Sequence, residues 1–417
     1  MLLLQNILLD GLPVNLFIDG AYIRRILPFP QTEDLIPDET VDCTGKTVIP
    51  GFINMHTHAA MVLLRGITED VPLQQWLSRI WDIEARIDEE FIYWGTKVAC
   101  LEMIKSGTTT FNDQYWFAPY ARKAAVEMGI RPYISFVILD NFNRETADKQ
   151  RRKCLQLYEE AMQWEEASHL AMSVHSVYTV SEEMILWASR FAIDHGMKLH
   201  IHVSETEKEN IDCRKAHGGL SPTEYLDSLG VLGPHMIAAH ALWLSDHDVE
   251  LMGRHHVNCV HNINSNAKLA SGFRFRYNEL RDAGANVCLG TDGAASSNNL
   301  DMLETMKTTA LFQKAWREDA SQMHLGELMD AATVNGARAL GLNTGKVQEG
   351  AIADLSLVDI DNSCFLSPGS FLGNLIYAAH SDVISSVIAR GRFVMRDRVV
   401  EGEKEILAEA RKVLRQI

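Results

Sequence analysis

Short apolar runs recur through the middle of the chain, and each closes on a polar residue. They end at or near Met55, Asn112, Leu139, His175, Val203, His240, His261 and Thr291. Between them lie segments with helical patterning, among them Trp94–Lys105, Ala118–Met128, Ser181–His195 and Leu300–Trp316. Short, continuously apolar strands are what parallel strands buried on both faces require. Eight strand–helix repeats over about 290 residues predict a (β/α)8 barrel. The competing architecture, a doubly wound sheet, lacks its signature here: no Gly-x-Gly-x-x-Gly follows the first strand, and there is no P-loop.

The two ends of the chain resemble each other and differ from the middle. Residues 1–50 hold strand-like runs such as Val14–Ile18, broken by Gly11, Gly20, Pro28 and Pro30. Residues 346–400 do the same, with Asp354–Val358 and a run from Val387 to Met395. Runs bounded by turn residues read as strands. Neither flank makes a convincing sheet alone. The expected architecture is therefore α/β: residues 51–345 form a TIM barrel, and residues 1–50 plus 346–417 form a small β-sandwich domain built from both chain ends.

Composition narrows the function. The 417 residues are 47% hydrophobic and 23% charged, ordinary for a globular enzyme, with a net charge of −16. That charge argues against a nucleic-acid partner, whose phosphates demand Lys/Arg clusters. The seven cysteines are scattered and include no Cys-x-x-Cys pair, which fits a reducing compartment. Met1–Gly20 is apolar but carries Asp10 and Asp19 and no basic leader, so it reads as strands rather than a signal peptide. No run of ~20 apolar residues spans a membrane. The expected location is cytoplasmic.

The polar residues of interest sit at strand C-termini, the face where barrel enzymes carry their active sites. His56 and His58 are two apart, so both side chains share one face of a strand. A His-x-His alone is weak evidence, since surface and core histidines are common. A second pair, His200 and His202, ends the fifth strand, with Glu205 three residues beyond; His240 ends the sixth and Asp292 the eighth. Independent strands thus deliver ligand types to one rim. The alternative, a set of charged loop-edge residues without an ion, needs all of these to coincide by chance. Three imidazoles and a carboxylate suit zinc, with ferrous iron as the other borderline divalent candidate, and leave a position for water. Such an ion lowers the pKa of its water to about 7. Glu205 is placed to protonate a ring nitrogen, and Asp292 to take the proton of the water. His240 orients that water, with a role as fifth ligand left open. The fourth strand ends Ser173-Val174-His175, with no lysine or glutamate to bridge two ions, which favours one metal ion per chain.

These pieces match a known family. Pro50–His58, His202–Thr206, Ser265–Gly272 and above all Gly290–Ser296, followed by Asn298, Asn299 and Asp301, resemble the amidohydrolase superfamily. Within it the chain is similar to the S-adenosylhomocysteine/methylthioadenosine deaminases and their triazine-hydrolase and guanine-deaminase relatives. The resemblance covers essentially the whole chain, including the split β domain. It implies that His56, His58, His202 and Asp292 are the metal ligands, Glu205 the proton shuttle and His240 the histidine beside the catalytic water. It further implies that His175 contacts substrate and that Glu84 binds ribose hydroxyls. A homo-oligomer is an expectation of the resemblance alone.

The chain also departs from the family. It has Trp81-Asp82-Ile83-Glu84 where Trp-Pro-Leu-Glu is usual. Phe136 stands where similar deaminases carry a third-strand arginine for the amino-acid end of adenosylhomocysteine; Arg144 and Arg151 are the candidates to replace it. This shifts the expectation toward adenosine, methylthioadenosine or another aminated heterocycle. Trp76, Trp81 and Trp116 are candidates to line a pocket for a flat ring, or simply to pack. His261 sits at a strand end and is a candidate to approach the site. The leading expectation is hydrolytic deamination of an adenine-type nucleoside. The alternative is an aminohydrolase or chlorohydrolase acting on guanine, a pterin or an s-triazine. Amide hydrolysis, which favours two metals, and a non-enzymatic binding module come behind.

Overall fold

Five strands precede the barrel: β1 (Leu2–Leu9), β2 (Leu12–Asp19), β3 (Tyr22–Pro28), β4 (Glu39–Asp42) and β5 (Lys46–Pro50). The computed structural model describes residues 1–164 and 169–416. Eight parallel strands follow: β6 (Phe52–Thr57), β7 (Thr108–Tyr115), β8 (Arg131–Ile138), β9 (His169–Ser176), β10 (Leu199–Val203), β11 (Met236–His240), β12 (Asn258–His261) and β13 (Asn286–Leu289). The last three are β14 (Leu355–Asp359), β15 (Ile384–Ala389) and β16 (Arg392–Met395). Helices between strands include α1 (Leu73–Glu84), α2 (Glu89–Lys105), α3 (Ala118–Glu127), α4 (Arg144–Ala161), α5 (Glu182–Asp194) and α6 (Glu207–Ala216). Asp88 caps α2 by accepting from Phe91 N at 2.9 Å, which starts that helix a turn before Trp94. No helix among the described residues is long and apolar enough to cross a membrane.

The barrel is in sequence order, β6 to β13. Its two ends meet through Asp292 N, which donates to His56 O at 2.9 Å, and through Asn54, whose amide exchanges bonds of 2.7 and 3.0 Å with Thr291. The closure therefore aligns the ends of β6 and β13, the two segments that carry His56, His58 and Asp292. β7 runs three residues past Asn112. Its polar tail Asn112-Asp113-Gln114 masks the strand in a hydrophobicity reading, but all three are buried and continue pairing with β8 as far as Phe136.

Both chain ends build the second unit, a small β-sandwich on one mixed sheet of order β16-β15-β14-β5-β1-β2-β3, with β4 beside β1. Leu4, Ile7, Leu16, Ile18, Val48, Leu355, Leu357 and Ile388 share its core, so neither flank closes it alone. The run Val387–Met395 is a hairpin of β15 and β16, broken at Arg390 and Gly391. Arg390 and Gly391 both have positive φ, 49° and 76°, as a two-residue primed turn demands. A Cβ on Gly391 would sit 2.0 Å from Gly20 O, so only glycine fits there. The sheet is fastened to the barrel floor by a buried ion pair between Arg131 and Asp354, 2.7 Å, whose carboxylate also accepts from Arg390 N at 2.8 Å. The C-terminal helix Glu403–Val413 leaves this sheet and packs on α2 of the barrel.

Candidate active site

The ends of β6, β10, β11 and β13 bring five candidate ligands together. Asp292 Oδ1 lies 3.4 Å from His56 Nε2 and 3.3 Å from His58 Nε2. His56, His202 and His240 form a second, overlapping set, and within each set the ligand atoms lie within 4.8 Å of one another. The rings are aimed by what holds their far nitrogens. His58 Nδ1 donates to Gln114 O at 2.5 Å and His202 Nδ1 to His175 O at 2.7 Å. A carbonyl only accepts, so each Nδ1 carries the proton and each Nε2 turns a lone pair inward. His56 Nδ1 meets His200 Nε2 at 2.8 Å, and the other nitrogen of His200 receives the Asn112 amide at 3.0 Å. His56 Nε2, buried and facing the same point, has no hydrogen-bond partner. An orphaned buried nitrogen among imidazoles and a carboxylate is what a divalent ion of zinc type would satisfy. The residues present fit such an ion.

Backbone strain supports this aim. Asp292 has φ 62°, a left-handed conformation disfavoured for a residue with a Cβ. Gly290 before it allows the close approach: a Cβ there would lie 2.6 Å from Asn262 Oδ1 and 2.8 Å from His56 N. Burial pushes the Asp292 carboxyl upward. The close approach of His56 and the neighbouring imidazoles outweigh burial and hold it well below the usual carboxylate range. Burial also drives His56 and His240 down to about 4, so both rings are neutral at pH 7.

Glu205 follows β10 and is buried against Asp292's side of the site. Burial first, and the Asp292 charge second, push its carboxyl up to about 8. Ser271 Oγ donates to its Oε1 at 3.4 Å, and His240 Nε2 stands 3.7 Å from its Oε2. The far nitrogen of His240, Nδ1, accepts from Asn266 Nδ2 at 3.0 Å. With Asn262 oriented to donate to Gly290 O (3.2 Å) and accept from His240 N (3.3 Å), Asn266 is the donor at that nitrogen. With that amide donating to Nδ1, the proton of neutral His240 falls on Nε2, facing the cavity.

The cavity is lined by His58, Glu84, His175, His202, Glu205, His240 and Asp292, with Trp76, Trp81, Tyr115 and Trp116 as its aromatic walls. His56 is fully buried behind it. All eight site residues singled out in the sequence therefore converge on one place. Glu84 reaches it from α1, which lies over the barrel mouth; Tyr115 OH donates to its Oε1 at 2.7 Å, and burial raises its carboxyl. His175 is held through Nδ1 by Thr179 Oγ1 at 2.9 Å, and burial lowers it to about 3.

A larger chamber adjoins this cavity across Trp81, Glu84, Trp116 and Val137. Phe117, Phe136 and Leu139 line it, together with Lys149 and Lys153 of α4. Arg144 and Arg151 line neither space; Arg151 pairs with Glu183 at 2.8 Å and lies over the Trp187 ring. His261 also stays outside, stacked on Phe275 at 4.2 Å. Sequence reading assigned no role to His200, Gln114, Asn266 or Ser271. A signal was present for the first two: a fully polar triplet, Asn112–Gln114, near the end of the buried strand β7, and a second histidine two residues before His202.

Residues 47–394 match the amidohydrolase family. The chain is 39% identical to 5-methylthioadenosine/S-adenosylhomocysteine deaminase 1 of Archaeoglobus fulgidus, over 97% of this chain and 95% of that protein. It is 43% identical to 5'-deoxyadenosine deaminase of Methanoregula boonei, over 89% of this chain and 84% of that protein. Among solved structures it is similar to a zinc-bound adenosine deaminase from Xanthomonas campestris, with a TM-score of 0.92 at 31% identity, covering 97% of this chain and 94% of that one.

Proposed function

The chain belongs to the amidohydrolase family, and from that premise we infer that the cavity at the barrel mouth is where it carries out its reaction. It is a metal-dependent aminohydrolase that deaminates adenine-type nucleosides by hydrolysis, giving the inosine-type product and ammonia. One observation supports the assignment of roles above the others: a donor set that fits an ion and a carboxyl that burial pushes up to about 8 face the same aromatic cavity.

In this reading His56, His58, His202 and Asp292 hold one ion, zinc. When bound, it supplies a Lewis acid that makes hydroxide available at neutral pH. Asp292 accepts the proton of the attacking water through its carboxylate. His240 Nε2–H donates to the oxygen of that water and keeps it over the ring. Glu205 delivers its proton to the ring nitrogen beside the amino-bearing carbon, which makes that carbon electrophilic. The proton taken by Asp292 then passes through Glu205 to the leaving amine, and the C–N bond breaks as ammonia departs. The second hydrogen of the water leaves as the carbonyl forms and restores the Glu205 carboxyl, while the proton that Glu205 first gave stays on the ring nitrogen, so atoms and charges balance and both carboxyls return to their starting states.

Glu84 binds the ribose hydroxyls with the carboxylate that Tyr115 orients, and His175 lies against the substrate. The adjoining chamber takes the group carried at the 5′ position. Its apolar lining at Phe117, Phe136 and Leu139 suits a methylthio or deoxy end; Lys149 and Lys153 offer charge to a longer, carboxylate-bearing one.

Ammonia release and loss of adenine absorbance, measured with adenosine, 5′-deoxyadenosine, methylthioadenosine and adenosylhomocysteine, test this function. Turnover of at least one nucleoside is expected. A metal-loaded enzyme that leaves all four untouched while deaminating guanine or a pterin would refute it. Bound metal of about one ion per chain is expected; two ions at the site would sink the single-ion assignment.

A further inference from the structure

Glu209 on α6 is a buried acid that touches neither the cavity nor any cation among the described residues. Its two oxygens accept from consecutive backbone groups: Oε1 from Ser204 N at 2.9 Å and Oε2 from Glu205 N at 2.8 Å. Two neighbouring N–H groups need an acceptor-only fork, and among side chains only a carboxylate supplies one. Glutamine would meet one N–H and oppose the other.

The peptide so held is under constraint from the opposite side as well. Ser204 has φ 51°, and its carbonyl accepts from Trp243 N at 2.8 Å and Leu242 N at 3.2 Å. Those donors follow directly on His240 and Ala241, themselves at φ 72° and 45°. Trp243 Nε1 in turn donates to Ser271 O at 2.6 Å, and Ser271 Oγ reaches the Glu205 carboxyl. The exits of β10 and β11 are thereby tied into one unit, with Glu209 gripping the residue that bears the acid.

We propose that Glu209 is a positioning residue for proton transfer: its two-oxygen grip on Ser204 and Glu205 sets the reach of the Glu205 carboxyl to the substrate ring. The inference rests on the reading of Glu205 as proton donor. Metal binding and nucleoside affinity belong to other residues, so a loosened grip costs the chemical step and leaves both intact.

Purified, metal-loaded Glu209→Gln tests this beside Glu205→Gln. For Glu209→Gln, kcat with adenosine is expected to fall about 10²-fold, the scale of a misplaced reacting group, with metal content unchanged. KM should stay within about twofold, the pattern of an interaction made only in the transition state. With 6-chloropurine riboside, whose chloride leaves without a proton, the loss is expected to be smaller. A merely structural role would lower both substrates by the same factor, and that result overturns the inference. So does wild-type turnover in Glu209→Gln while Glu205→Gln is inactive. Wild-type turnover in Glu205→Gln instead removes the reading of Glu205 itself. Hydrogen exchange on the wild-type enzyme decides the case independently of any variant's folding. The Ser204 and Glu205 amides should be among the protected ones, and exchange at the rate of an open loop overturns the grip.

Discussion

The cavity and the chamber beside it have one wall made from the ends of β6, β10, β11 and β13, and another made from α1, the exits of β7 and β8, and α4. On the first, nearly every functional side chain is held at its far atom: His58 by Gln114 O, His202 by His175 O, His56 by His200, His240 by Asn266 and the Glu205 peptide by Glu209. On the second, Trp81 and Phe117 are each 40% exposed, and no ion pair among the described residues includes Lys149 or Lys153. The contrast follows from the work of each wall. An imidazole ligates along one lone-pair direction and a proton moves across one hydrogen bond, so small rotations cost rate. A wall that accommodates a variable 5′ group needs shape and long-range charge, which exposed rings and flexible lysines provide.

That contrast is open to test at both walls. Glu205→Gln removes the proton carried by the first wall and should lower kcat by about 10²–10⁴-fold with the ion retained; metal analysis and turnover check it, and normal turnover refutes the role. His200→Ala loosens the support of His56 without touching substrate. Ion affinity, read by chelator competition, is expected to fall about 10–100-fold. An unchanged affinity would mean that the ring is held well enough without its partner. On the second wall, the double variant Lys149→Ala/Lys153→Ala should reduce kcat/KM for adenosylhomocysteine by about fivefold, the scale of exposed charge pairs, and leave adenosine unchanged. Equal losses on both substrates would merge the two walls into one.

The smallest effect concerns pH. His56 and His240 sit at about 4 in the folded protein against an ordinary 6.5, so the unfolded chain binds more protons between those values. Their contribution to stability therefore rises with pH up to about 6.5. Glu205 is pushed the other way, to about 8 against an ordinary 4.5, chiefly by burial. The folded state keeps a proton that the unfolded chain releases, so this group lowers stability as pH rises toward about 8. Above 6.5 only the second trend remains. The Tm of the chelator-stripped protein should peak near that pH and decline beyond it; a steady rise through pH 8 would show that the first wall does not bury its carboxyls as described.

Much of this architecture was legible before any coordinates. Parallel strands buried on both faces leave continuous apolar runs, and catalytic barrels put polar groups at the ends of those runs. His56, His58, His202, His240 and Asp292 therefore announced themselves by position. The flanks were legible as strands because turn residues bracket them. Two boundaries were not. β7 hid behind its buried polar tail, and the Arg390-Gly391-Arg392 break inside the Val387–Met395 run belongs to a hairpin turn whose conformation only the fold shows.

What the amino-acid order determined alone was the set of chemical groups and the strands that carry them. What only the tertiary structure decided was their aim. The atoms that orient His58 and His202 are backbone carbonyls, present at every residue and so invisible as a motif. Glu209 reads as one more acid on a helix until folding places its two oxygens against two particular N–H groups. Glu84 reads as a solvated helical residue until α1 closes over the mouth. In the same way, Arg144 and Arg151 were candidates by charge, and the path of α4 turned Lys149 and Lys153 to the chamber instead. Side-chain chemistry is local to the chain, whereas direction depends on which distant segments pack together.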